Sequence, residues 1–143
     1  MVCTFFGHAD APDWTKEALK NEIVKLIQEE GVKNFCVGNN GNFDFYVQRA
    51  LKEIQNIYEE VDYFIALSYV NEKVISGAQE KSVFWSDLAL ITPKFAIAKR
   101  NELLIKKSDY AICYVKYDFQ RSYKRMKKAE KKGLKIINIA KVK

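Results

Sequence analysis

The sequence predicts an α/β fold of the Rossmann-like kind: an open, mostly parallel sheet with helices on both faces. Strand-like and helix-like segments alternate from end to end, as a chain of βα units requires. Two apolar runs end in glycine turns that open a helix, Phe6-Gly7-His8 and Val37-Gly38-Asn39-Asn40-Gly41. With 143 residues and 48% hydrophobic content, the chain has enough apolar surface for one core, and a single domain over 1–143 is expected.

The first strand is Val2 to Phe6. Asp13 is the expected N-cap of a helix running to about Glu30, with Leu19, Ile23, Leu26 and Ile27 on one face and Gly31 as its stop. Asn34 to Val37 is the second strand. The next helix, about Phe43 to Glu60 with Asn42 as cap, sets Val47, Leu51, Ile54 and Tyr58 at helical spacing. Asp62 to Val70 contains Tyr63-Phe64-Ile65-Ala66-Leu67, a continuous apolar run of the kind a strand buried on both faces shows. Residues 71–93 mix polar and aromatic side chains without a period, so a loop is expected, with a short helix or an extra strand around Val83 to Leu90. A helix from about Lys94 to Lys107 buries Ile97, Leu103 and Leu104 and delivers the strand Tyr110 to Val115. The last helix, about Phe119 to Lys132, stops at Gly133 before the strand Lys135 to Ala140.

The formal charge of +6 is unevenly spread: residues 116–143 hold eleven Lys or Arg against Asp118 and Glu130, and the rest of the chain is slightly acidic. Cys3, Cys36 and Cys113 sit in apolar strand-like runs without C-x-x-C spacing, so they read as buried, reduced side chains with no disulfide or metal role. No apolar run is long enough to span a membrane, and the N-terminus lacks the basic region and cleavage site of a signal peptide; a cytoplasmic protein is expected. A G-x-G-x-x-G fingerprint is absent, so nicotinamide hydride chemistry is unsupported and no cofactor is expected.

Open sheets of this kind bind ligands beyond the carboxyl ends of their strands, where the strand order reverses. The expected pocket takes Gly7, His8 and Asp10 from the first turn, and Gly38, Asn39, Asn40, Gly41, Phe43 and Asp44 from the second. Unpaired N–H groups and the dipole at a helix N-terminus favour phosphate or carboxylate there. His8 reads either as a ligand-contacting or catalytic group or as a plain turn residue. Asp44 reads as a ribose acceptor or weak general base, or as a first-turn acid stabilised by the dipole. Tyr69, Tyr117 and Phe43 are candidates for base stacking, against the more frequent fate of core packing. The basic helix from Arg121 to Lys132 reads as a solvated face with Tyr123, Met126 and Ala129 inward. Nucleic-acid binding is the disfavoured alternative, because aromatic interleaving and a helix-turn-helix pattern are lacking.

The blocks CTFFGHAD, VGNNGNFDFYVQRAL, PKFAIAKRNELLIKKSDYAICYV and KKGLKIINIA resemble, in the same order, the SLOG superfamily, and in particular its small YpsA-like members, related to the lysine-decarboxylase-like proteins. The resemblance implies a Rossmann-like fold, frequent homodimers or higher homo-oligomers, and a pocket for nucleotides or nucleotide-derived ligands. Some relatives are cytokinin-activating phosphoribohydrolases; others sense signals such as cyclic ADP-ribose variants in anti-phage defence. It also raises Arg100 and Asn101, otherwise part of a solvated helix face, to pocket residues, because the Arg-Asn pair recurs there. Three departures matter. Ala9 stands where the family has an arginine after Gly-His. The usual Gly-Gly pair after the strand Tyr110–Val115 is replaced by Lys116-Tyr117-Asp118-Phe119-Gln120-Arg121-Ser122, so Arg121 and Ser122 are the candidates to reach the pocket instead. The enzymatic Pro-Gly-Gly-x-Gly-Thr-x-x-Glu motif is missing. The expectation is therefore a binder of a nucleotide-derived small molecule, acting as sensor, carrier or phage-type sequestering protein. The alternatives are a nucleoside-monophosphate phosphoribohydrolase-like enzyme using Asp44 or His8, and a nucleic-acid-binding module.

Overall fold

The structure is a computed structural model that describes residues 1–39, 41–66, 82–83 and 93–141. Its elements are β1 (Val2–Gly7), α1 (Thr15–Glu30), β2 (Asn34–Val37), α2 (Asn42–Gln55), β3 (Asp62–Ala66), β4 (Ser82–Val83), α3 (Pro93–Lys106), β5 (Tyr110–Tyr114), α4 (Arg121–Lys131) and β6 (Lys135–Asn138), followed by a 3-10 turn at Ile139–Lys141. The six described strands pair in parallel in the order β4-β3-β2-β1-β5-β6. The α/β Rossmann-like fold that the alternation predicts is therefore the fold observed.

Alternate strand residues feed two cores, as the two-residue period of a strand dictates. Cys3 and Phe5 of β1 and Tyr110, Ile112 and Tyr114 of β5 face one side, where α1 and α2 supply Leu19, Ile23, Val47, Leu51 and Ile54. Phe6, Ala111, Cys113 and Val115 face the other, against Leu104 and Ile105 of α3 and Met126 and Ala129 of α4. The cysteines are free and buried, as expected. Burial pushes the Cys3 and Cys36 thiols up, and the Cys113 thiol up to about 12, so all three are unreactive thiols rather than thiolates at neutral pH.

Several boundaries differ from expectation for local reasons. Trp14, rather than Asp13, precedes α1. The Asp13 carboxylate is drawn sideways instead, 3.6 Å from Lys16 Nζ and accepting from the Tyr46 hydroxyl at 3.1 Å. Gly41 takes the cap position of α2, and Asn42 is its first residue. Helix α2 ends five residues early, because the N–H groups of both Ile57 and Tyr58 fold back on the Ile54 carbonyl. Gly31 and Gly133, at φ 69° and 94°, supply the left-handed turns that end α1 and follow α4. The third strand is described to Ala66; its expected continuation to Val70 lies outside the described residues, as does most of 71–93. Within that stretch, Ser82–Val83 extends the sheet beside β3, which places the extra strand at the start of the region expected for it.

The chain steps outward from β1 to β4 and then crosses back over β1 to β5. The order reverses between β1 and β5, and the crevice beyond their carboxyl ends is where such sheets take ligands. Among the described residues no helix is long and apolar enough to cross a membrane.

Candidate functional site

A cavity of about 460 Å³ opens at that crevice. Its walls are the end of β1 with Gly7 and Ala9, Gly38 after β2, Gly41 and Asp44 at the start of α2, Arg100 and Asn101 of α3, and residues 119–122 with Arg125 at the start of α4. The N-termini of α2 and α4 both face it, and neither carries a side-chain cap among the described residues. The Asn42 N–H is used by the Ala9 carbonyl at 3.0 Å, whereas the N–H groups of Arg121 and Ser122 have no backbone acceptor among the described residues. Uncapped N–H groups at an open cavity suit an anion.

Arg100 is the centre of the site. It is 2% exposed, and its guanidinium donates to Asn39 Oδ1 at 3.1 Å, Asn101 Oδ1 at 3.1 Å and the Ala66 carbonyl at 3.4 Å. Burial lowers its pKa from 12.5 to about 10; Asp44 opposes that shift and Arg125 adds to it. It stays charged at neutral pH, which makes it a desolvated cation beside a cavity. Because its Oδ1 accepts from Arg100, the Asn101 amide turns its Nδ2 away. That buried donor has no partner among the described residues. Arg125 is held below its ordinary pKa first by burial, with Asp44 opposing and Arg121 adding to the shift. Three guanidiniums and one carboxylate therefore share the walls.

The glycines serve chain packing as well as ligand approach. A Cβ at Gly38 would lie 2.9 Å from Arg100 Cζ, so only a glycine there lets the guanidinium lie on the β2 turn. A Cβ at Gly41 would meet Ala9 Cα at 2.8 Å, and one at Gly7 would overlap the Phe43 ring. Phe43 is consequently a core residue, fully buried beneath Gly7 rather than available for base stacking. Its apolar position at the second residue of α2 outweighs its place in the turn.

His8 also resolves as a bracket and not as a cavity residue. It is buried, and its Nε2 accepts the N–H groups of Lys116 at 2.8 Å and Tyr117 at 3.3 Å. Asn138 adds a second clip, accepting the Val115 N–H and donating to the Val115 carbonyl, each at 3.0 Å. Together these side chains hold the glycine-free loop that leads to α4. Asp10 is exposed beside His8 and does not reach the cavity wall. Tyr117 stacks between His8 and Phe119, with ring centroids 5.7 and 5.3 Å apart, and it is Phe119 that reaches the cavity.

Burial holds the His8 pKa below the ordinary 6.5, partly offset by Asp10 and Gln120. The unfolded chain then takes up this proton at higher pH than the folded one. The associated stability is complete above pH 6.5 and is lost as the pH falls below it. Urea melts from pH 7 to pH 5 are expected to show that decline, and His8→Gln to show a shallower one; equal slopes would mean that His8 is not the titrating bracket.

Of the residues expected at the site, Gly7, Gly38, Gly41, Asp44, Arg100, Asn101, Arg121 and Ser122 line the cavity, and Asn39 supports it through Arg100. Asn40 and Tyr69 lie outside the described residues. Sequence reasoning missed Phe5, Phe6, Phe119, Gln120 and Arg125. The available signal for Arg125 was its position one helical turn after Arg121. The chain matches no protein-family model, and no curated protein matches it.

Proposed function

We propose that this chain binds a phosphate-bearing nucleotide or nucleotide-derived signalling ligand, ADP-ribose-like or cyclic, at the C-terminal edge of its sheet. Its role is that of a SLOG-type sensor, carrier or phage-type sequestering protein, with a homodimer as the expected assembly. The observation that carries the reading is the convergence of Arg100, Arg121 and Arg125 with two uncapped helix N-termini on one cavity at the strand-order reversal. Arginine forks and helix N-termini both recognise phosphate oxygens. Phe119 offers a ring face at the mouth for a base, and Asp44 an acceptor for ribose hydroxyls. The cavity falls within the roughly 300–1,000 Å³ common for small-molecule sites.

Binding is preferred to turnover because His8, one of the two candidate acid–base groups, is occupied as a backbone acceptor away from the cavity wall. A thermal-shift panel of nucleoside monophosphates, cyclic dinucleotides and ADP-ribose tests the reading. At a hundredfold excess over Kd a ligand adds about 2.7 kcal/mol, raising Tm by roughly 5–10 °C for a chain of this size. Release of free base during incubation with a nucleoside monophosphate would overturn the binding reading in favour of hydrolysis.

A further inference from the structure

Two grooves continue from the cavity along the seam between α3 and α4. The first, of about 170 Å³, shares Asn101, Arg121 and Arg125 with the cavity and adds Lys124 and Lys128. The second, of about 780 Å³, shares Lys128 with the first and runs on to Lys131 and Lys132, over a floor of Leu103, Ile105 and Leu134. Lys99 and Lys106 of α3 line its far wall, and Glu102 is the one acid along either groove among the described residues.

The periodicity of α4 explains the track. Arg121, Lys124, Arg125, Lys128, Lys131 and Lys132 recur at the three- and four-residue steps that share one helix face. Ser122, Met126 and Ala129 occupy the buried face, and Glu130 pairs with Lys127 at 3.6 Å. Like charges at such steps repel. A mononucleotide in the cavity would leave most of this stripe without a counter-charge.

From this continuity we infer that the cavity takes the phosphorylated end of a short single-stranded oligonucleotide, whose following phosphates lie along the α4 stripe. The inference rests on the nucleotide reading of the cavity and extends it. Leu103 and Leu134 beneath the stripe are each only 8% exposed, so the stripe itself reads phosphates, and the nucleotide site that holds the strand's end sets an oligonucleotide apart from inorganic polyphosphate. Helix α4, with 11 residues, is about 16 Å long, and at about 3.4 Å per nucleotide of a stacked strand that length spans roughly four or five phosphates.

Isothermal titration with 5′-phosphorylated oligonucleotides of increasing length, at two salt concentrations, tests this. Affinity is expected to rise at least about tenfold between one nucleotide and five, then level off, with inorganic polyphosphate weaker. The triple variant Lys124→Gln, Lys128→Gln, Lys131→Gln is expected to return long oligonucleotides to the affinity of the mononucleotide. It should also flatten the slope of log K against log salt by about 2, since each phosphate contact on a single strand contributes about 0.7. An affinity independent of length, a triple variant that binds as the parent does, or polyphosphate binding as tightly as the oligonucleotide would overturn the inference. If mononucleotides bind and length adds nothing, this inference alone fails. If oligonucleotides bind through the lysines and Arg100→Met leaves that binding intact, it is the cavity reading that fails.

Discussion

Arg100→Met is expected to weaken binding of a phosphorylated nucleotide by about thirtyfold or more, because truncating one member of a buried, hydrogen-bonded charge pair costs about 2–5 kcal/mol. The same change should move the melting temperature of the unliganded chain by only a few degrees. Methionine follows much of the arginine stem and keeps the helix packed. It leaves neutral acceptors, among them Asn39 Oδ1, Asn101 Oδ1 and the Ala66 carbonyl, to find water or other donors, at about 1 kcal/mol each if they relax. Against that loss stands the removal of a desolvated cation, whose burial penalty is several kcal/mol. The lowered pKa of Arg100 gives the sign: folding disfavours its charged form relative to the unfolded chain at every pH below about 10. A residue that costs the fold and still sits at a cavity is one the ligand would repay. Calorimetry with AMP and ADP-ribose, paired with thermal melts, checks both halves. A variant that melts well below the parent yet, while folded, binds as before would assign Arg100 a structural role.

Gly7→Ala carries the largest expected effect on stability. The new methyl would overlap the Phe43 ring, which is 1% exposed and walled in by its core. The ring cannot retreat without opening the junction between β1 and α2. Overpacking of this kind costs about 1–3 kcal/mol, or roughly 3–10 °C in Tm. Pairing the change with Phe43→Leu should recover part of the loss, because the smaller side chain leaves room for the methyl. A coupling energy of about 1 kcal/mol or more in the double-mutant cycle is the expected signature of direct contact. Additive effects would mean that Gly7 is required for some reason other than Phe43.

The alternation of short apolar runs with amphipathic stretches made the parallel sheet legible, because parallel strands need crossover helices and bury both faces. Gly31 and Gly133 marked helix ends through their backbone freedom, a local property that a sequence displays directly. The residues that failed to read were those whose role depends on distant partners. His8 looked like a loop histidine, but its ring is committed to N–H groups more than a hundred residues away. Phe43 looked like a turn aromatic, but Gly7 gives it a place in the core. Arg125 was hidden among solvated lysines, because the helix phase that turns it to the cavity depends on how α4 packs through Met126 and Ala129. Asn138, which clips the β5 exit, offered no signal beyond being a polar residue at a strand end.

Amide chemical-shift mapping during titration with ADP-ribose or AMP tests the central claim most directly. Binding at the strand-order reversal should move the resonances of Gly38, Gly41, Asp44, Arg121 and Ser122, together with the Asn101 side-chain amide. Residues at the opposite edge of the sheet, such as Gly31 and Gly133, should stay fixed. Saturating shifts confined to the first set are the predicted result; shifts clustered elsewhere, or none with any phosphorylated nucleotide, would contradict the account.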